Sequence, residues 1–256
     1  MIIKKCNING GWVQCSHDTT DVTIEDQPTK LVFDNCIVNG FRGAVCTVRN
    51  STIYSAPLVG NNVYIVDCKF KPTTSGDGKV IFASDTKDGT LRIIENCTFE
   101  GDAEVTGKDH MHSSTFKDCT FENLKIYLGT QNYQGEICFD NCVINSKIDT
   151  LIYVGPWAFS AENINLVFKN CLITHTGNNL LYFLAKPSGN SSVLFEESTI
   201  NKDSGKLVGW SNDHNMPNHK DNISVDLTFR NTEVNRDLPI DYDTAGRDHF
   251  RVFFEE

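Results

Sequence analysis

The chain is 256 residues long, 39% apolar and 22% charged, which suffices for one elongated domain or two compact ones. No run of 18 apolar residues occurs and Met1 to Asn7 lacks the apolar stretch of a secretory signal, so the sequence reads as neither membrane-inserted nor exported by that route. With a net charge of −10 and 23 Lys and Arg scattered singly it does not read as a nucleic-acid binder, and its ten cysteines include no CxxC pair.

Taken in chain order, ten segments share one pattern: a small residue with an apolar one three positions before and another two after. They are Ile-Lys-Lys-Cys-Asn-Ile (3–8), Phe-Asp-Asn-Cys-Ile-Val (33–38), Val-Arg-Asn-Ser-Thr-Ile (48–53), Ile-Val-Asp-Cys-Lys-Phe (65–70) and Ile-Glu-Asn-Cys-Thr-Phe (94–99). Then come Phe-Lys-Asp-Cys-Thr-Phe (116–121), Phe-Asp-Asn-Cys-Val-Ile (139–144), Phe-Lys-Asn-Cys-Leu-Ile (168–173), Phe-Glu-Glu-Ser-Thr-Ile (195–200) and Phe-Arg-Asn-Thr-Glu-Val (229–234). The small anchor recurs every 15 to 34 residues, about 25 on average. Such a period marks a solenoid, whose units bury their apolar faces against their neighbours.

Within a unit, an alternating strand such as Ile137-Cys138-Phe139 turns two side chains inward, a two-residue bend follows, and Cys142-Val143-Ile144 turns Cys and Ile to the same inner side. A third strand comes after a short polar turn, as at 125–128, 151–154, 181–183 and 206–208. No helical period appears. The sequence therefore predicts an all-β chain, a parallel β-helix of about nine or ten coils over 1–236 and about 45 Å long. Residues 237–256 depart from the repeat and read as a capping or partner-contact segment, and the steps of 15 and 17 between 36 and 68 read as one coil split in two.

The residue before the anchor is Asn at 35, 50, 96, 141, 170 and 231, and Asp at 67 and 118. Asn tolerates the left-handed backbone of a sharp bend, and its amide can bond the same group one coil away, which would give a ladder of Asn35, Asn50, Asn96, Asn141, Asn170 and Asn231. The anchor is Cys6, Cys36, Cys68, Cys97, Cys119, Cys142 or Cys171, but Ser51, Ser198 or Thr232 in other copies. Ser and Thr form no disulfide and replace no thiolate ligand, so the slot selects a small side chain in a tight corner and the cysteines read as a reduced ladder. Buried unpaired thiols suit the cytoplasm or a virion assembled inside the cell. Cys46 is another inward position; nothing in the pattern explains Cys15 or Cys138.

The bend ladder resembles the asparagine ladder of the right-handed, pectate-lyase-like β-helix superfamily, over residues 1 to about 236. That superfamily includes pectin-active lyases and hydrolases and the tail-spike and tail-fibre proteins of bacteriophages. The resemblance implies a functional groove along the third strand, and a homotrimer or contacts with other virion proteins. It leads to a structural or receptor-binding module of a phage-like tail fibre or spike that contacts surface polysaccharide. The alternative is a glycoside hydrolase or polysaccharide lyase of the same superfamily; a third reading, from the net charge, is an acidic DNA mimic that inhibits a nucleic-acid enzyme.

On the third strand Tyr127, Tyr153 and Tyr182 are predicted to face outward in successive coils, where aromatic faces could stack sugar rings, with Tyr133, Trp157 and Trp210 in or beside the following loops. The plainer reading is an exterior stack that steadies neighbouring coils. Asp109, Glu136, Glu162 and Asp213 are the catalytic candidates by location, although none forms a motif and each reads first as a solvated loop acid. No phosphate-binding loop or Ser/His/Asp motif is present, and His214 and His219 stand alone in a loop, so neither cofactor nor metal is expected. The repeat starts at Ile3, which predicts an end covered by the loop 16–29 or by another subunit.

Overall fold

The computed structural model describes residues 2–8, 13–14, 32–38, 41–42, 46–54, 63–72, 80–82, 90–107, 112–128, 135–154, 164–183, 191–210, 225–241 and 250–256. Among these residues every regular element is a strand, and no helix is long and apolar enough to cross a membrane. One sheet of eleven strands runs through Ile2–Lys4, Val32–Asp34, Cys46–Arg49, Val63–Val66, Thr90–Glu95, His112–Lys117, Gly135–Asp140, Ile164–Lys169, Ser191–Glu196, Val225–Arg230 and Phe250–Glu255, each parallel to the next. A second sheet takes the strand after each bend, from Asn7–Ile8 to Glu233–Val234. It also carries the third row, in which Val80–Phe82, Thr98–Gly107, Thr120–Leu128, Thr150–Val154, Asn179–Phe183 and Lys206–Trp210 pair in order. Parallel strands in stacked sheets fit a β-solenoid, and eleven rungs at ~4.8 Å extend about 50 Å.

The short steps are complete rungs. Val32–Asp34, Cys46–Arg49 and Val63–Val66 pair in succession in the first sheet, and Ile37–Val38, Thr52–Tyr54 and Lys69–Lys71 do so in the second. The sequence suggested one split coil because it set a minimum length that includes a third strand. At the other end, Phe250–Glu255 adds the eleventh rung, and Val208 bridges Ile240, so the segment after 236 extends the stack.

Local chemistry explains the bends. Among the described residues, the non-glycine positions with positive φ are the ten that precede the anchors: Lys5, Asn35, Asn50, Asp67, Asn96, Asp118, Asn141, Asn170, Glu197 and Asn231, at 45° to 55°. Asn and Asp accept this conformation at least cost among side-chain-bearing residues. The amide ladder is realised in part, as Asn96 donates to Asp67 at 2.5 Å and Asn141 to Asp118 at 2.5 Å, whereas Asn50 donates sideways to Asp34 at 3.2 Å.

The anchor slot is as tight as the Cys, Ser and Thr exchange implies. Cys36, Cys68, Cys97, Cys119, Cys142 and Cys171 are all buried, and they are free thiols, as are Cys6 and Cys138. Each buried thiol donates to a carbonyl of the coil before, as Cys142 Sγ does to Phe116 O at 3.4 Å; Thr232 Oγ1 makes the same bond to Phe195 O at 3.0 Å. Ser51 and Ser198 also accept the backbone N–H of Cys36 and Cys171, at 2.9 and 3.0 Å. The slot thus calls for a small side chain that can donate, which thiol and hydroxyl both satisfy.

Stacked phenylalanines fill the interior. Phe116, Phe139, Phe168, Phe195, Phe229 and Phe254 form one column with centroids 4.7 to 5.2 Å apart, and Phe70, Phe99 and Phe121 a second at 4.3 to 4.4 Å. The columns meet edge to face, as in Phe116 with Phe121 at 5.6 Å.

On the outer side of the first sheet, the positions two before the ten anchors, continued by Glu255, form a column whose charge alternates except at Val66: Lys4, Asp34, Arg49, Val66, Glu95, Lys117, Asp140, Lys169, Glu196, Arg230 and Glu255. Ion pairs close along it between Arg49 and Asp34 at 3.0 Å, Lys169 and Glu196 at 3.5 Å, and Arg230 and both Glu196 and Glu255 at 3.1 and 2.9 Å.

Candidate functional site

The third row holds the expected aromatic face. In Thr150–Val154 the pattern departs from simple alternation, because Leu151 and Ile152 are both buried before Tyr153 emerges, and Leu180 and Leu181 repeat this before Tyr182. Register then sets Tyr127 beside Tyr153 and Tyr153 beside Tyr182. Their rings stack with centroids 5.4 and 5.8 Å apart and planes within 14°. Lys125 Nζ lies 5.4 and 5.7 Å from the Tyr127 and Tyr153 centroids and is also 3.7 Å from Glu104.

This geometry decides which part of each ring is available. Tyr153 has a neighbour on each face, and Tyr182 is backed by Gly209, where an added Cβ would come within 2.7 Å of the Tyr182 ring. A ring therefore cannot lie flat on Tyr153, and what this column leaves accessible is phenol hydroxyls and ring edges. Burial raises the hydroxyl pKa of Tyr127, helped by Glu104, and that of Tyr153, helped by Tyr127 and Tyr182, so both are protonated donors at neutral pH.

The corner leading into these strands carries polar side chains that sequence reasoning missed. Ser146, His175 and Lys202 each lie four residues after an anchor, and all three are buried. Lys202 donates to Gly177 O and to His175 Nδ1 at 3.3 Å. An ammonium only donates, so Nδ1 accepts, and Nε2 carries the proton that it donates to Ile148 O at 3.0 Å. Burial, with Lys202 second among the lowering causes, drives His175 down to about 4, while burial lowers Lys202 despite Asp149. Gly177 makes the corner possible, since a Cβ there would sit 1.9 Å from Ile148 O.

The other sequence candidates fall elsewhere. Glu136 belongs to the strand Gly135–Asp140, opposite Asn165, and is exposed on the first sheet rather than in a loop beside the tyrosines; the strand starts earlier than its alternation suggested. Trp210 is level with buried Phe183, and Gly209 occupies the level of Tyr182. Tyr133, Trp157, Asp109, Glu162, Asp213, His214, His219 and the loop 16–29 lie outside the described residues. Cys138 sits half-buried between Thr115 and Val167 on the first sheet, and burial, then Glu136 and Asp140, push its thiol up to about 11, which makes it unreactive. Among the described residues, no three His, Cys, Asp or Glu side chains are grouped to hold a metal. Comparison with protein-family models, with curated protein sequences and with solved structures found no match.

Proposed function

We propose that this chain is a right-handed parallel β-helix of the pectate-lyase-like kind, acting as a structural and receptor-binding module of a phage-like tail fibre or spike that contacts surface polysaccharide. The observation that carries the proposal is the tyrosine column, which repeats one phenol at the same level of three adjacent coils. A linear polymer laid along the axis meets the same donor at each rung, and linked weak contacts add through effective concentration. Such a module assembles side by side as a homotrimer or packs against other virion proteins.

The test is to incubate the protein with a panel of bacterial capsular and O-antigen polysaccharides, measuring retention and the length of the recovered chains. Retention of at least one polysaccharide at unchanged length is expected. Retention of none overturns the proposal, and shortened chains would replace it with a depolymerase.

A further inference from the structure

Beside the Ser146 corner lies a recess of about 470 Å³, lined among others by Glu122, Asn145, Ser146, Lys147, Thr174 and Thr176. Ser146 is 1% exposed, and its Oγ is, among the described residues, the buried side-chain polar atom without a hydrogen-bond partner. An atom so enclosed calls for a partner such as a water, and the groups a ligand can reach are the accessible ones on the walls, Asn145, Lys147, Thr174 and Thr176. Asn145 and Thr174 are level with each other on adjacent strands, and Glu122 is held in place by accepting the Gly101 N–H at 2.8 Å.

We infer that this recess is a binding subsite for one unit of an uncharged, polyhydroxylated ligand, a neutral sugar. One carboxylate and one ammonium cancel, and the remaining polar groups are the two amides of Asn123 and Asn145 and hydroxyls, which donate and accept at close range as sugar hydroxyls do. A phosphate or carboxylate ligand would need clustered cations or N–H groups, whereas the carbon surface between these polar groups suits the C–H faces of a sugar. The recess opens where the chain enters the tyrosine strands: Lys147 precedes Thr150–Val154, and Thr176 precedes Asn179–Phe183. The recess thus lies in the same coils as the phenols, six residues before Tyr153 and Tyr182, where a side branch or a bend of a bound polysaccharide would enter it. The inference rests on the polysaccharide proposal and adds that the recognised unit is neutral.

The experiment measures binding of neutral and of acidic capsular polysaccharides to the full chain and to Thr174→Val, Glu122→Gln and Tyr153→Phe, each checked for an unchanged melting curve. Thr174→Val and Glu122→Gln are expected to weaken the neutral polysaccharide about three- to tenfold. If Tyr153→Phe weakens binding while both recess variants bind as the parent does, the subsite is overturned and the polysaccharide proposal stands. Binding of acidic polysaccharides alone overturns the neutral assignment in the same way, and binding of none overturns both.

Discussion

His175 and Lys202 bury two basic groups 3.3 Å apart, and the arrangement holds only while the imidazole is neutral. The folded His175 titrates at about 4, against 6.5 for the ordinary side chain, so between these values the unfolded chain binds a proton that the folded chain refuses. Its contribution is therefore complete above about pH 6.5 and is lost as the pH falls toward 4, by up to about 3 kcal/mol at ~1.36 kcal/mol per unit. The charged groups acting on it are Lys202 and Asp149. Urea denaturation across that range should show the loss, and His175→Gln should flatten it; an unchanged profile would contradict the assignment. At the anchor slot, Cys142→Ser should keep the carbonyl bond and change stability by about 1 kcal/mol or less. Cys142→Leu should overpack the corner and cost about 1–3 kcal/mol in the same denaturation measurement.

At the scale of the elements, aromatic columns hold the coils together and charge holds them in order. Phe139 stacks between Phe116 and Phe168 and meets Phe121 edge on, so Phe139→Ala should cost about 3–5 kcal/mol by chemical denaturation. Each surface ion pair contributes little alone. Their alternation nonetheless penalises any pairing that skips a rung, because like charges then stand opposite. Lys169→Glu would align three acids with Asp140 and Glu196, and should destabilise by about 1–2 kcal/mol at low salt, less as salt screens it. The anchors and bends were legible in the sequence because each asks for one kind of residue at one offset. The charge column occupies a fixed offset in the same segments, yet its sign flips from copy to copy, so it emerges only when the rungs are stacked. Ser146, His175 and Lys202 share an offset too, but three unlike residues separated by 29 and 27 positions present no pattern until register places them at one corner.

The whole molecule is a stack in which every coil covers the next, so the described surfaces divide into an outer face of paired charges, a second face, and a third face with tyrosines. The ring faces of those tyrosines serve each other, as in the plainer of the two readings of the sequence; outward direction follows from alternation, and register is what decides between an open ring face and a stacked one. If the rods assemble as proposed, sedimentation should give the mass of three chains, and a stable monomer would count against the assembly. The measurement that tests the account most directly is a crystal structure with an oligosaccharide fragment of a retained polysaccharide. It should show a right-handed coil with sugar oxygens at ~2.7–2.8 Å from the hydroxyls of Tyr127, Tyr153 and Tyr182. A left-handed coil, or a fragment seated on the charged first sheet, would contradict it.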